Sequence, residues 1–246
     1  MSGPQRGYCL IVNNFKFSCS SPKLRNRTGT VKDAERLRRV FTWLGFQVEV
    51  VQDATSAKML SSMEKLASRD HIGMDCVACV ILSHGLEGGV YGVDGGVVGW
   101  RSSNGKPKLF FIQACQGTEE VKAVPSRADG PVNPEVHAQT NGPSSPGDFC
   151  SDAVVASELL PSTPDFLTAM ATTPSHVSVR LEEEGYWFIQ SLCKNLVQLL
   201  PQGKDLVSIL MKVYHDVMQR SKRISGCLQM SQFTFFLRMD LVFPHP

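Results

Sequence analysis

The chain lacks a long hydrophobic run. Its longest unbroken apolar stretch, Cys76–Leu82, has seven residues, whereas a helix that spans a bilayer needs about 20. An excess of one charge sign is also absent, because 25 lysines and arginines face 23 aspartates and glutamates, for a net charge of +2. The segment Met1–Arg6 is polar and has no signal-peptide core. We therefore expect a cytoplasmic protein with no membrane and no nucleic-acid partner.

A disulfide framework is not expected either. The chain has eight cysteines but no secretory signal, so we interpret them as reduced thiols. Cys76-x-x-Cys79 has the spacing of half a zinc site, but no second pair with ligand spacing accompanies it. We interpret both as small apolar residues of a buried strand, and we expect neither a metal nor another cofactor.

What the chain does contain is an alternation of strands and helices. Predicted strands are Tyr8–Val12, Phe46–Val51, Cys76–Leu82, Lys108–Gln113, Phe166–Ala171 and Phe233–Phe243. Predicted helices lie between Thr30 and Gly45 and over Ser56–Ala67, Tyr186–Leu200 and Leu206–Val217. This order indicates an α/β fold, with an open, mostly parallel six-stranded sheet and helices on both of its faces.

Local patterns give more detailed predictions. Thr30-x-x-Asp33 resembles a capping box at the start of the first helix. The second predicted helix carries Leu60, Met63 and Ala67 at helical spacing. Phe233–Phe243 is apolar at every odd position, which predicts one long strand with a strongly buried face.

The chain divides at a segment without helical or strand periodicity. Residues 118–162 contain six prolines, and Phe149 is their one large aromatic residue. A stretch of this length and composition is typical of an exposed linker. We therefore predict two halves of one fold, residues 1–117 and 163–246, joined by a flexible processing linker over residues 118–162.

Two strand ends carry residues able to do covalent chemistry. The strand Cys76–Leu82 is followed by His84 and Gly85, and the strand Lys108–Gln113 is followed by Cys115. The carboxyl ends of neighbouring parallel strands open onto one crevice, where ligands bind. If these strands are neighbours, the imidazole can activate the thiol and shuttle its proton. The amides of Gly85 and Cys115 are then natural donors to an oxyanion.

The sequence around both strand ends resembles that of the caspases. Gln113-Ala-Cys-Gln-Gly117 fits the caspase active-site signature. Ser83-His-Gly85 is similar to the family's histidine loop, and Arg27-Thr-Gly-Thr30 with Asp33 resembles its arginine turn. The resemblance covers nearly the whole chain apart from the linker.

Further segments of the chain extend this resemblance. Gly185–Cys193 resembles the start of the first long helix of the caspase small subunit. Gly7–Asn14, Gln116 and Leu241–Pro244 are most similar to the death-receptor initiators of the family. A catalytic domain of that kind, without the paired adaptor-binding domains of full-length initiators, is what the resemblance implies.

The implied activity is that of a cysteine endopeptidase that cleaves protein substrates after aspartate in apoptotic signalling. Arg27, Gln113 and Arg180 correspond to residues that bind the aspartate carboxylate, which suits guanidinium chemistry. Ser178-Val-Arg180 resembles the strand on which the substrate pairs. Trp187 matches a position that shapes the fourth pocket, although a core tryptophan is equally expected there.

Two departures from the family pattern have consequences. Val177 and Val179 stand where an aromatic residue is usual, which predicts a wider second pocket. The Gly96–Gly105 connection is about a dozen residues shorter than usual, so 31 residues separate His84 from Cys115. We expect this short connection to leave apolar surface uncovered and to lower stability.

Two other functions compete with catalysis. One is a non-catalytic caspase-like partner that heterodimerises with an active caspase and regulates it. The other is a nucleotide-binding module, which the sequence disfavours because no glycine-rich phosphate loop follows the first strand. The joint presence of Cys115, His84, Arg27 and Arg180 favours the enzyme.

Maturation and assembly are predicted as well. An aspartate-specific enzyme is expected to cut the linker of a neighbouring copy, after Asp129 first, then Asp152, then Asp148. The terminal strand is expected to form a two-fold homodimer, as the resemblance also implies. A heterodimer with another caspase or a caspase-like regulator is the alternative assembly.

Overall fold

The computed structural model describes residues 6–17, 20, 23–99, 108–116, 121–122, 165–174, 178, 180–181, 185–222 and 227–243. All of them belong to a unit made of residues 1–123 and 161–246. The three processing candidates, Asp129, Asp148 and Asp152, lie outside the described residues. The division into 1–117, 118–162 and 163–246 therefore stays a prediction.

Strands and helices alternate in the order that the sequence predicts. The strands are β1 Gly7–Asn13, β2 Phe46–Gln52, β3 Val77–Leu82, β4 Gly85–Leu86, β5 Gly89–Tyr91, β6 Val97–Gly99, β7 Lys108–Gln113, β8 Val121–Lys122, β9 Phe166–Met170, β10 Arg180–Leu181, β11 Gly185–Tyr186, β12 Cys227–Leu228 and β13 Gln232–Phe236. The helices are α1 Thr30–Trp43, α2 Ser56–Ala67, α3 Trp187–Leu199 and α4 Leu206–Lys222, and a 3₁₀ turn at Leu200–Gln202 follows α3. Within the described ranges, none of these helices is both long and apolar enough to cross a membrane.

Six strands of the described part of the chain form the main sheet, in the order β13-β9-β7-β3-β1-β2. Neighbours run parallel except for β13, which is antiparallel to β9. β3 and β7 lie at the centre, and five of the six residues in each are buried. Their sequences are apolar on both faces, as parallel strands covered on both sides require.

Helices cover both faces of this sheet. On one face, α1, α3 and α4 contribute Leu37, Leu192 and Ile209 to a large core. On the other face, α2 contributes Met59 and Leu66 to a smaller core. The predicted fold class, an open and mostly parallel six-stranded sheet between two layers of helix, is confirmed.

The second face is covered less completely than the first. Among the described residues, α2 is its one helix, and Val98 of β6 is buried in the same small core. Phe110 and Phe166 stay half-buried, with ring centroids 5.3 Å apart. Part of the short Gly96–Gly105 connection lies outside the described residues. Its expected effect on stability stays a prediction.

The start of α1 differs from the predicted capping box. The N-cap is Gly29, with a φ of 84°, and it offers no side chain for capping. The Thr30 hydroxyl donates instead to Asn13 Oδ1 at 2.7 Å. The Asp33 carboxylate accepts the backbone N–H of Tyr186 at 2.9 Å. The capping-box prediction is wrong because both side chains make tertiary contacts.

The second helix, α2, has the predicted bounds and buries one of its faces. Met59, Ser62 and Leu66 are buried, whereas Leu60 is 46% exposed and Ala67 is exposed. Two overlapping sets of residues have helical spacing in α2. The set that faces the core contains the polar Ser62 between Met59 and Leu66. Of the three residues noted at helical spacing, only Met63 is half-buried and packs against the smaller core.

The C-terminal segment is shorter as a strand than predicted. β13 ends at Phe236, and the chain then turns at Arg238. The Arg238 backbone N–H donates to Asp165 Oδ1 at 3.2 Å, and its Nε donates to Oδ2 at 3.0 Å. These bonds hold the turn against the start of β9, so the prediction of one strand over Phe233–Phe243 is wrong.

Burial of the same segment also differs from the prediction. Phe235 and Phe236 of β13 are 43% and 42% exposed, whereas Leu241 and Phe243 are buried after the turn. Leu241 accepts the backbone N–H of Leu206 at 2.9 Å, which fixes the segment beside α4. Its alternating apolar pattern thus comes from an exposed edge strand and a separate buried segment.

The Cys76 and Cys79 side chains point to opposite faces of the sheet. Cys76 belongs to the larger core and Cys79 to the smaller one. Burial raises the pKa of each thiol to about 12. Because the sheet lies between them, the two thiols cannot share one metal ion.

Candidate active site

The segments after β3 and β7 leave the sheet side by side. Leu82 pairs with Gln113 in the parallel register, and the Ser83 backbone N–H donates to Gln113 O at 3.1 Å. A Cβ on Gly85 would lie 2.8 Å from the carbonyl oxygen of Cys115. Only glycine fits this approach. The structure therefore brings the His84–Gly85 segment against Cys115.

His84 is half-buried, and its orientation fixes its tautomer. Its Nε2 lies 2.7 Å from the carbonyl oxygen of Arg25, and its ring meets Phe17 edge to face with centroids 4.8 Å apart. A carbonyl oxygen can only accept, so Nε2 carries the hydrogen. The lone pair of the neutral ring is then on Nδ1, which is the nitrogen able to act as a base.

The Cys115 thiol is half-exposed and contacts Ser178. The Ser178 backbone N–H donates to Cys115 Sγ at 3.3 Å, and the Ser178 hydroxyl lies 3.5 Å from the same sulfur. Gln113 Nε2 donates to that hydroxyl at 2.9 Å. Ser178 thus bridges the candidate nucleophile and the amide predicted to bind the substrate carboxylate.

The backbone around Cys115 is held firmly. Gln116 Nε2 donates to Thr172 O, and the Thr172 hydroxyl donates to Ala114 O at 3.4 Å. The Ala171 backbone N–H donates to Ile112 O at 2.9 Å. These bonds tie the segment after β7 to the segment after β9, so the thiol is presented from a rigid support.

Arg27 is buried, with 1% of its surface exposed. Its Nη1 donates to Asn14 O at 2.9 Å and to the Thr30 hydroxyl at 3.1 Å, and its Nε donates to the Tyr186 hydroxyl at 3.2 Å. Among the described residues, Nη2 has no hydrogen-bond partner. A buried charge needs a counter-charge and hydrogen bonds. The arrangement suits a carboxylate ligand at Nη2.

Gln113 supplies a second incompletely bonded group. The residue has no exposed surface, and its Oε1 has no partner in the described part of the chain. Its Nε2 is the donor to Ser178. Gln113 therefore has the amide donor that the resemblance predicts for the carboxylate pocket.

Asn14 is a site residue that the sequence analysis missed. It follows β1, and its carbonyl accepts from Arg27. Its side-chain Oδ1 accepts the Ala54 N–H at 2.8 Å, and its Nδ2 donates to the Ser83 hydroxyl at 3.3 Å and to Tyr91 O at 3.1 Å. Asn14 thus links the arginine to the histidine loop. In the sequence, an asparagine after a strand indicates only a turn.

Asp33 supports the same region from α1. Its Oδ2 accepts the Tyr186 backbone N–H, and its Oδ1 has no partner among the described atoms. Burial raises the pKa of this carboxyl to about 7, although the Tyr186 hydrogen bond and the charges of Arg36 and Arg27 lower it. This carboxyl can therefore change its charge near neutral pH.

The remaining predicted substrate residues are described only in part. The backbone of Arg180 pairs with that of Tyr186 in the β10–β11 ribbon. Val177 and Val179 lie outside the described residues. Their predicted roles, and that of the Arg180 side chain, stay predictions.

Trp187 begins α3 and is 1% exposed. The Arg220 guanidinium carbon lies 5.5 Å from its ring centroid. Both residues line a cavity of about 450 Å³ between α3 and α4, together with Lys194 and Asp216. This burial favours the core alternative, and a role in the fourth pocket stays a prediction.

The mostly parallel six-stranded sheet with its helices is consistent with the caspase α/β fold. A family model described as "Caspase domain" matches residues 6–242, and the chain belongs to this family. It is 38% identical to caspase-8 of Mus musculus, over 99% of this chain and 52% of that protein. It is 36% identical to caspase-10 of Homo sapiens, over 100% of this chain and 45% of that protein.

Other relatives match at similar levels. Caspase-9 of Homo sapiens is 36% identical, over 96% of this chain and 61% of that protein. The chain spans about half the length of these initiator relatives. The family prediction is confirmed, and the identities to caspase-9 and caspase-10 are equal.

Proposed function

We propose that the chain is the catalytic part of a cysteine endopeptidase that cleaves protein substrates after aspartate. The observation that carries the proposal is the buried Arg27 guanidinium, whose Nη2 has no partner among the described residues. Arg27 is held by Asn14, which follows β1, while His84 and Cys115 follow β3 and β7. These strands are parallel neighbours, so the three groups share one sheet edge.

The proposed mechanism uses this edge in two stages. His84 Nδ1 accepts the proton of the Cys115 thiol, and the thiolate attacks the carbonyl carbon of the aspartate residue. The backbone N–H groups of Gly85 and Cys115 bind the oxyanion. The imidazolium gives its proton to the leaving amine as the C–N bond breaks, which leaves a thioester on Cys115. Water, deprotonated by His84, then hydrolyses the thioester and restores the thiol.

We further propose an initiator-type role in apoptotic signalling within the cytoplasm, with maturation by linker cleavage and dimerisation. The motif resemblance and the caspase-8, caspase-9 and caspase-10 relatives support this role. The five cysteines that the structure describes with side chains, which include Cys115 and Cys193, are free thiols. Free thiols suit a reducing compartment.

The test of the enzyme is active-site labelling. Incubation with an aspartyl fluoromethyl ketone is expected to add one label per chain at Cys115, as measured by intact mass and peptide mapping. Cys115→Ala should show neither label nor peptide cleavage and should keep the unfolding temperature of the wild type. Cys193→Ala, which changes a buried thiol, is the control and should still be labelled. Peptide cleavage that survives Cys115→Ala would rule out this nucleophile.

Maturation gives a second prediction. The wild type is expected to process itself into a large fragment of roughly 130–150 residues and a small one of roughly 95–117, because exposed linkers are readily cut. Cys115→Ala should stay intact. N-terminal sequencing of the small fragment should give a start after Asp129, Asp152 or Asp148. A start outside residues 118–162 would contradict self-cleavage at the linker.

The second candidate function is a non-catalytic partner that regulates an active caspase. The observation that favours it is the Gly96–Gly105 connection, which is about a dozen residues shorter than the family pattern. The labelling experiment separates the two functions. A chain that binds an active caspase but takes no label at Cys115 is a regulator.

A further inference from the structure

We propose that Tyr186 is a positioning residue of the aspartate pocket, which holds Arg27 so that only its Nη2 is left to bind the substrate carboxylate. This inference rests on the proposed function. The sequence alone assigns Tyr186 no role in the pocket.

The hydrogen bonds of Arg27 account for three of its five N–H groups. A guanidinium has one hydrogen on Nε and two on each terminal nitrogen. Nε donates to the Tyr186 hydroxyl, and Nη1 donates to Asn14 O and to the Thr30 hydroxyl. Both hydrogens of Nη2 have no partner among the described residues. Contacts within the protein thus occupy Nε and Nη1, and each of the two nitrogen pairs that could bind a carboxylate in a bidentate way includes one of them.

This occupancy determines how a carboxylate can bind. A fork needs either Nε with Nη2 or Nη1 with Nη2. With Nε and Nη1 occupied, Arg27 offers donors from Nη2 alone. The other carboxylate oxygen must then be bound by a second residue, for which Gln113 is the described candidate. Two donors on different residues restrict the position of the carboxylate more than one bidentate arginine does. The longer glutamate side chain would misplace its carboxylate, so this arrangement favours aspartate.

The Tyr186 ring also restricts the arginine. The Arg27 guanidinium carbon lies 4.8 Å from the centroid of that ring. Tyr186 is 7% exposed, so the stacked pair is shielded from water. Cation–π contacts are strongest when both groups are desolvated. The hydroxyl and the ring together hold the guanidinium in one orientation.

The backbone of Tyr186 is in turn anchored from α1. Its N–H donates to Asp33 Oδ2 at 2.9 Å. The preceding residue, Gly185, has a φ of 97°, and a Cβ on it would lie 2.2 Å from Asp33 Oδ1. Only glycine is tolerated at that contact. Tyr186 is therefore placed against Arg27 by the same helix that follows the arginine turn.

The test is Tyr186→Phe, which removes the hydroxyl and keeps the ring. Without that hydroxyl, the Nε of Arg27 has no acceptor among the described residues. Nε and Nη2 can then bind a carboxylate together, at a different depth in the pocket. With two peptides that differ only in Asp or Glu at the cut site, we expect KM for the aspartate peptide to rise about tenfold. kcat should stay within about twofold, and the preference for aspartate should fall about tenfold or more.

The matched control is Tyr8→Phe. The Tyr8 ring also stacks on an arginine, with Arg69 Cζ 4.6 Å from its centroid, and neither residue belongs to the predicted site. This variant should keep both KM values and the preference. A merely structural role for Tyr186 would lower stability or activity on both peptides without changing their ratio.

Each outcome has one interpretation. A Tyr186→Phe protein with the wild-type preference overturns the role of Tyr186 and leaves the proposed function intact. A wild type that cleaves neither peptide overturns both proposals. If Tyr186→Phe fails to fold in a thermal unfolding assay, Tyr186→Leu serves as the second variant, and an unchanged preference there also overturns the role.

Discussion

Asp33 is a buried carboxyl whose charge depends on pH near neutrality. Burial raises its pKa from 3.8 to about 7. In the unfolded chain the same carboxyl ionises near its ordinary pKa. Between about pH 4 and pH 7 the folded protein therefore holds a proton that the unfolded chain releases. The contribution to stability is complete below pH 4 and is lost as pH rises through 7.

Asp33→Asn is expected to remove this pH dependence. The wild type should lose stability between pH 5 and pH 8, by about 3 kcal/mol at most, because the folded pKa lies about two units above pH 5 and one pKa unit corresponds to about 1.4 kcal/mol. The variant should vary much less, because an amide does not titrate and can still accept from Tyr186. Urea unfolding at the two pH values measures the difference.

The control for that experiment is Asp205→Asn. Although partial burial opposes it, hydrogen bonds from Ser208 and Val207 lower the pKa of Asp205 below its ordinary value, so this carboxyl stays ionised at both pH values. This variant should keep the pH dependence of the wild type. A wild type of equal stability at pH 5 and pH 8 would show that Asp33 is not protonated in the folded state.

Residue types and their placement allow Cys115 and His84 to be proposed from the sequence, and the structure places both where the neighbouring strands β3 and β7 end. Each follows an apolar strand, and each carries chemistry that few side chains have. Arg27 was predictable only through the family motif, because a turn arginine is ordinarily a solvated charge. Asn14 and Tyr186 were not predictable, since their importance comes from partners that are 69 and 159 residues away in the chain.

In the C-terminal segment, one continuous apolar alternation covers two different elements, a strand and a buried segment after a turn. Phe243 is 4% exposed, and its ring centroid lies 6.2 Å from that of Phe46. Val242, its neighbour, is 37% exposed. Only the first part of this apolar alternation is strand, because Asp165 turns the chain at Arg238. A contact with a residue so distant in sequence leaves no local signal.

Phe243→Ala is expected to lower the free energy of unfolding by about 3–5 kcal/mol, because truncating a buried phenylalanine leaves a cavity. Val242→Ala should change it by less than about 0.5 kcal/mol. Urea denaturation of both variants provides the comparison. Similar values for the two substitutions would mean that the segment does not pack as the structure shows.

Elements whose apolar pattern allows one interpretation were predicted well, whereas elements whose pattern allows two were not. β3 and β7 are apolar on both faces, which allows a single interpretation. α2 carries two overlapping sets of residues at helical spacing, and its buried residues Met59 and Leu66 are those that pack into the smaller core. Packing against that core is tertiary, so helical periodicity alone cannot select the buried face.

At the scale of the whole sheet, the part of the chain that the structure describes has two unlike edges, β2 and β13. At β2, Glu49 forms ion pairs with Arg69 and Lys65, and charged side chains discourage pairing with another strand. At β13, Phe235 and Phe236 are each more than 40% exposed, and the strand carries no charged residue. Apolar exposure at an unpaired edge favours association. The β13 edge is therefore the one expected to meet a second copy.

Phe235→Lys is expected to prevent this association. Two copies related by a two-fold axis would place their β13 strands against each other, so each substitution brings two charges into one interface. Sedimentation of concentrated protein with bound fluoromethyl ketone should show a dimer for the wild type and a monomer for Phe235→Lys. Met211→Lys, on an exposed position of α4, should dimerise as the wild type does. A wild type that stays monomeric under these conditions would exclude the β13 dimer.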